Sequence, residues 1–233
     1  MNRSNYIALA AGMALACSSG SYADSISDYV HLELGAGATY YTLTDGKWFQ
    51  EGALDDHVVS HAPALMIGLT GNLIDRARWG IDWHADLNYF GSISASCQCT
   101  ISDADYNPAT KKVKAGAITE SYYGSGHAMG ISLMLEPYFK YEGWKFGAAA
   151  GAFGYRKTWT ENVSGWAGNF GDPQPVPVHL ESAHGISFAP AVGVDVSYER
   201  FTFSYRYYFT SRNEGNTPPL WDDVQTMMVT YRF

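Results

Sequence analysis

Charge is scarce in this chain. Asp, Glu, Lys and Arg make up 16% of its 233 residues, against roughly 25% in soluble domains. Cysteine is scarcer still, with three in all, too few to staple a small secreted fold. Beyond residue 24 no stretch approaches the roughly 18 consecutive apolar residues that a spanning helix needs, so a helical membrane bundle is excluded. An excess of basic residues is missing too: 15 Lys and Arg stand against 23 Asp and Glu, a net charge of −8. An acidic chain argues against a nucleic-acid partner. What is abundant is aromatic and small: 15% Phe, Trp and Tyr, 17 of them Tyr, with 24 Gly.

The first residues read as an export signal. Arg3 precedes an uncharged run from Tyr6 to Ala16, and Ser21, Tyr22 and Ala23 supply a small-x-small pattern before Asp24. Residues 1–23 are therefore expected to be a cleaved signal peptide, with residues 24–233 the mature domain. A lipoprotein signal at Cys17 is the alternative; such signals carry Leu three residues before the Cys, where this chain has Ala14. Removing residues 1–23 takes away Arg3 and no acid, so the mature chain is more acidic still.

Alternation dominates the rest. In "WGIDWHADLNYF" (79–90), Trp79, Ile81, Trp83, Ala85, Leu87 and Tyr89 oppose Gly80, Asp82, His84, Asp86 and Asn88. A strand separates two such sets fully, whereas a helix scatters both. The same period runs through 29–41, 61–70, 127–139, 144–155, 185–198, 201–209 and 225–233, which makes eight strands. Their connections alternate: long at 42–60, 91–126, 156–184 and 210–223, short at 71–78, 141–143 and 199–200. Short turns at one end and long loops at the other predict an all-β fold, an eight-stranded antiparallel up-and-down transmembrane β-barrel with three periplasmic turns and four extracellular loops. In hydrocarbon a closed barrel pairs every backbone polar group without an edge. A soluble barrel would turn its apolar face inward.

Eight strands leave an interior just wide enough for side chains to fill it. The inward face collects Glu33, Asp82, His84, Asp86, Glu136, Lys145, Asp195, Arg206 and Arg232. Five carboxylates, three cations and a His in a narrow lumen must pair, because an isolated buried charge is very costly. That network reads either as a structural plug or as a gated polar path.

The closing segment "QTMMVTYRF" sets Met227, Val229, Tyr231 and Phe233 on one face and ends on the aromatic Phe233. It resembles the carboxy-terminal signal by which the outer-membrane assembly machinery recognises its barrel substrates. Over residues 24–233 the layout resembles the OmpA/OmpX/Ail-like class of small outer-membrane barrels. The resemblance implies the outer membrane of a Gram-negative bacterium, reached through the periplasm, with membrane lipid and the barrel assembly machinery as partners. About activity it implies little.

Enzyme chemistry finds no constellation. The pairs Ser182/His184 and Ser125/His127 share strand faces, but "HGIS" at 184–187 places His184 and Ser187 on opposite faces, unlike the His-x-Ser-Asn run of lipid A deacylase barrels. Asp82, His84 and Asp86 span about 13 Å along one strand, so one ion cannot take all three. No cofactor, metal or catalytic residue is expected. In the loops, Cys97 and Cys99 of "SCQCT" are expected to pair in an oxidising compartment, with a soft-metal site or a redox pair as alternatives. Trp48, Phe49, Trp159, Trp166 and Phe170 on Gly/Pro-rich loops are candidate contacts for a host-surface, glycan or phage ligand, or pack on the rim. The expected function is that of a non-enzymatic surface or adhesion protein. A small porin-like gated channel stands second and a lipid-modifying enzyme third.

Overall fold

The computed structural model describes residues 30–43, 53–100, 106–107, 109–110, 112–113, 119–164, 178–210 and 221–233. Residues 1–23 and the loop residues Trp48, Phe49, Trp166 and Phe170 lie outside them. The strands are β1 (Val30–Leu43), β2 (Ala53–Val59), β3 (His61–Asp75), β4 (Trp79–Thr100), β5 (Tyr106–Asn107), β6 (Lys112–Val113), β7 (Thr119–Tyr141), β8 (Trp144–Ser164), β9 (Val178–Tyr198), β10 (Phe201–Tyr208) and β11 (Trp221–Arg232). No helix among the described residues is long and apolar enough to cross a membrane.

Each barrel strand pairs antiparallel with the next, β4 pairs with β7, and β11 returns to β1. With β2 and β3 taken as one strand interrupted at Ser60, the ring has eight members and closes on itself through β4–β7 and β11–β1. Closure is tight at the end of the chain: Leu34 faces Tyr231, Ala36 faces Val229, and the Phe233 amide donates to the Leu32 carbonyl at 2.9 Å.

One end of the ring is made of short turns. Tyr141 pairs with Trp144 across Glu142 and Gly143, both at positive φ (48° and 83°), the backbone of a two-residue hairpin whose twist matches its strands. Tyr198 pairs with Phe201 across Glu199 and Arg200, with Glu199 alone at positive φ (54°). The third turn, Arg76–Arg78, is closed by the Arg76 amide on the Trp79 carbonyl at 2.9 Å.

The opposite end differs from expectation. Residues 91–126 and 156–184 were expected to be loops, and most of them are strand: β4 runs to Thr100, β7 starts at Thr119, β8 runs to Ser164 and β9 starts at Val178. β4, β7, β8 and β9 have 22, 23, 21 and 21 residues, whereas a tilted strand needs only about 9–11 to cross a bilayer. Their pairing continues to Thr100↔Thr119 and Val163↔Val178, and β2 joins the far half of β4. The barrel therefore carries a raised wall of β2, β4, β7, β8 and β9 on one side, while β1, β10 and β11 stop lower.

A bulge in β4 marks where the wall leaves the barrel. The register slips between Tyr89 and Ser92, and Gly91 sits at φ +68°, where a Cβ would lie 2.3 Å from the Pro63 carbonyl oxygen. The extra residue reverses the strand's faces. Below it Asp82, His84, Asp86, Asn88 and Phe90 are buried; above it Ile93 and Ala95 are.

Candidate functional site

Outside, the barrel is greasy. Leu34, Leu65, Ile67, Leu87, Ile131, Leu133, Leu135, Val194, Phe203, Met227 and Val229 are all exposed, Leu133 by 60%. A belt contiguous around the ring far exceeds the patch a water-soluble monomer shows, and its natural solvent is lipid. Trp79, Trp144 and Phe201 stand exposed just beyond the turns, and Tyr40, Tyr89 and Phe209 stand exposed at the other margin. Two aromatic rings around an apolar band are the interface anchors of a transmembrane barrel.

Inside, the lumen has two layers. The layer nearest the turns is ionic. Arg232 reaches Glu33 Oε1 through Nε and Nη2, both at 3.1 Å. The other oxygen of Glu33 lies 3.6 Å from His84 Nδ1, and His84 Nε2 lies 2.8 Å from Glu136 Oε2. Lys145 Nζ is 3.1 Å from Glu136 Oε1 and also contacts Asp82, which accepts from Asn72 Nδ2 at 2.5 Å. This is one alternating chain over β11, β1, β4, β7 and β8. Beside it Arg206 grips Asp195 in a bidentate pair at 2.6 and 2.6 Å.

Asp86 stands apart from these pairs. It accepts only from Ser132 Oγ, at 3.3 Å on Oδ2, and Oδ1 has no hydrogen-bond partner among the described residues. With Glu33, His84 and Arg206 it lines a cavity of about 20 Å³.

The second layer, toward the wall, is aromatic. Phe90, Phe153 and Tyr208 meet at 5.2, 4.8 and 4.7 Å between ring centroids. Tyr155 stacks on Phe153 at 5.1 Å with planes 5° apart. Tyr41, Trp159 and Trp221 lie above them, each at most 1% exposed. Tyr41 Oη donates toward the carbonyls of Phe90 (3.2 Å) and Gly91 (3.0 Å) and accepts from the Ala128 amide at 3.3 Å, which ties the layer to the β4 bulge.

Trp159 corrects an expectation. Named as a loop contact, it is fully buried on β8 and meets Trp221 edge-on at 6.0 Å, so no external ligand reaches it. Trp221 was missed because the parity that turns Val224, Thr226, Met228 and Thr230 inward would turn it outward; the pairing of β11 with β1 slips between Thr42 and Leu43, so that Leu43 pairs with Trp221 and its ring is buried. Phe90, Phe153 and Tyr155, by contrast, were legible as inward positions next to those already assigned. At Cys97 and Cys99 the backbone is strand, paired to Asp56 and Ala53 on one side and to Tyr122 and Glu120 on the other. Whether the thiols pair lies outside the described side chains.

No protein-family model matches the chain, and no curated protein does. Among solved structures it is similar to that of Ail, the attachment invasion locus protein of Yersinia pestis, in complex with the heparin analogue sucrose octasulfate. Identity is 14% and the TM-score 0.38, over 88% of this chain and 97% of that one. A second crystal structure of Ail matches with the same figures. The translocator domain of the autotransporter NalP from Neisseria meningitidis matches at 9% identity and a TM-score of 0.22, over 96% of this chain and 98% of that one.

Proposed function

We propose that this chain is an integral outer-membrane barrel of the small OmpA/OmpX/Ail-like kind that acts at the cell surface, without catalysis, through its raised wall and the loops the wall carries. The observation that supports this reading most is the division of the molecule. The lumen is closed by a buried aromatic layer, while β4, β7, β8 and β9 continue well past the apolar belt. A plugged tube has no use for such length in transport, whereas a rigid platform for loops does. Export through the periplasm after loss of residues 1–23, and insertion by the barrel assembly machinery reading Met227, Val229, Tyr231 and Phe233, belong to the same proposal.

The ligand's chemistry is constrained by charge. Residues 44–52 and β2 together carry Asp45, Glu51, Asp55 and Asp56 against Lys47, a composition that suits a neutral or cationic host protein or glycan, or a phage protein, better than a polyanion. The Ser/His pair on β7 is not arranged for catalysis. Ser125 and His127 face outward on β7, and His127 Nδ1 is engaged by Thr158 Oγ1 at 3.0 Å. The test shortens residues 101–118 and 165–177 to tight turns in cells that display the protein. Adherence to cultured host cells, to a glycan panel and phage adsorption are then compared. Loss of one of these activities, with heat-modifiable migration of the barrel unchanged, is the expected result; full retention of all that the intact protein confers sinks the reading.

A gated channel is the second reading, favoured by the ionic chain from Arg232 to Asp82, whose members have alternative partners within reach. It requires the aromatic layer to part. Planar-bilayer recording of the refolded protein decides: discrete conductance altered by charge reversal at Lys145 or Arg206 supports it, and electrical silence removes it.

A further inference from the structure

We infer that the lumen holds a divalent transition-metal site of the zinc class, formed by Glu33, His84 and Asp86. Glu33 on β1 pairs with Gly68 on β3, and Gly68 pairs with Asp86 on β4. The residue between the two carboxylates thus has no side chain, and a Cβ there would lie 2.1 Å from Asp86 Oδ1. Only glycine lets an acid from β1 and an acid from β4 approach each other over the intervening strand. His84, two residues before Asp86, points to the same place, and a ligand atom from each of the three lies within 4.8 Å of the others.

Each of the three has a neighbour behind it and one further atom, two of which, on Glu33 and His84, already face each other as a link of the ionic chain. Arg232 holds Glu33 Oε1, Glu136 faces His84 Nε2 at 2.8 Å, and Ser132 holds Asp86 Oδ2. The remaining atoms are Glu33 Oε2, His84 Nδ1 and Asp86 Oδ1. A carboxylate behind an imidazole fixes the tautomer whose other nitrogen carries the lone pair, as in carboxylate–histidine–zinc arrangements. His84 Nδ1 and Glu33 Oε2 are 3.6 Å apart, long for a hydrogen bond. It is close to the roughly 3.4 Å that separates two ligands bound tetrahedrally at about 2.1 Å.

The independent sign is Asp86 itself. The residue is 7% exposed, and Oδ1 has no hydrogen-bond partner among the described residues. A buried carboxylate oxygen left bare is costly unless it finds a donor or a cation. The adjoining cavity of about 20 Å³ admits one water as a fourth ligand. One imidazole and two carboxylates suit zinc or manganese better than the soft ions that seek thiolates. A bound ion would pin β1 to β4 across β3.

The test uses the full chain refolded in detergent, stripped with a chelator and titrated with Zn(II) by calorimetry. Co(II) absorption reports the ligand field. The expected result is one equivalent per barrel, abolished in His84→Gln and Asp86→Asn, and weakened about 10- to 100-fold in Glu136→Gln, which acts only through His84. Asp86→Asn keeps the side-chain volume and an acceptor for Ser132, so it carries the test if His84→Gln does not reach the heat-modifiable folded form. No binding by the folded wild type overturns the site. Binding equally strong in Asp86→Asn assigns the metal to other histidines and overturns it as well.

Discussion

Near the turns, Arg206 meets Asp195 through two hydrogen bonds of 2.6 Å. Toward the wall, Phe90, Phe153 and Tyr208 meet ring to ring at 4.7 to 5.2 Å. Both layers fill the same tube, and they hold it by different physics. Ionic contacts in a low-dielectric lumen are strong only while every partner is present, because removing one leaves a charge that cannot be solvated. Ring contacts lose what is removed and little more, since no orphaned charge remains. The ionic layer should therefore be brittle but replaceable as a set, and the aromatic layer tolerant in kind but intolerant of lost volume.

The strongest way to break the contrast is to remove the aromatic layer. Phe153→Ala alone is expected to cost about 3–5 kcal/mol, as large-to-small changes at well-packed aromatic sites do. The triple change of Phe90, Phe153 and Tyr208 to Ala should further turn a silent barrel into a conducting one. Urea titration in lipid vesicles reads the first effect and bilayer recording the second. A triple variant without conductance would mean that the ionic layer seals the tube unaided.

Next in size is the ionic pair. Asp195→Leu strands Arg206 and should cost about 3–5 kcal/mol. Asp195→Leu combined with Arg206→Met should recover most of that loss, being near neutral or mildly stabilising. The cycle is measured by the same urea titrations. A double variant no better than the single would show that the pair is not separable from the chain running through Glu136 and His84, and the distinction between the layers would blur.

How much of this was legible follows from which solvent each face meets. Where the outside is lipid, period two is clean: Leu65, Ile67 and Leu69 point out, Ala64, Gly68 and Thr70 point in, and faces and lumen charges can be read directly. Above the belt the outside meets water and the inside is packed, so the contrast inverts: Ile93 and Ala95 are buried while Ser92, Ser94 and Ser96 face outward. A pattern sought as greasy-out fades there, which is why the wall read as loop and Trp159 as an exposed contact. The candidate metal site was hidden for another reason. Spacing along β4 argues against Asp82, His84 and Asp86 as one set, and Glu33 joins through a register that spacing within one strand does not encode.

A smaller perturbation tests the join between the layers. Tyr41→Phe keeps the ring against Trp221, 5.1 Å away, and deletes only the hydroxyl that bridges the Phe90 and Gly91 carbonyls and the Ala128 amide. The expected loss is about 0.5–1.5 kcal/mol by urea titration. A larger one would mean that the bulge depends on that hydroxyl.

The smallest effect belongs to a charge pair outside the lumen, and it calibrates the ionic layer. Asp75 at the turn end accepts from Lys140 Nζ at 2.6 Å and from Tyr138 Oη at 3.0 Å, yet its side chain is 53% exposed. The Lys140 ammonium, helped by the Tyr138 hydroxyl, holds the Asp75 carboxyl below its ordinary value of 3.8. A lowered folded-state value means that the contribution is fully present above pH 3.8 and disappears as the pH falls through the lower folded value. Water and salt screen so exposed a pair, so Asp75→Asn should cost no more than about 1 kcal/mol at neutral pH, and less at high ionic strength. Urea titrations at low and high salt check both statements. The same bond lengths buried at Arg206 and Asp195 should respond several-fold more strongly to loss of one partner and hardly at all to salt. Equal sensitivity at the two sites would show that water reaches the lumen layer as freely as it reaches the turns.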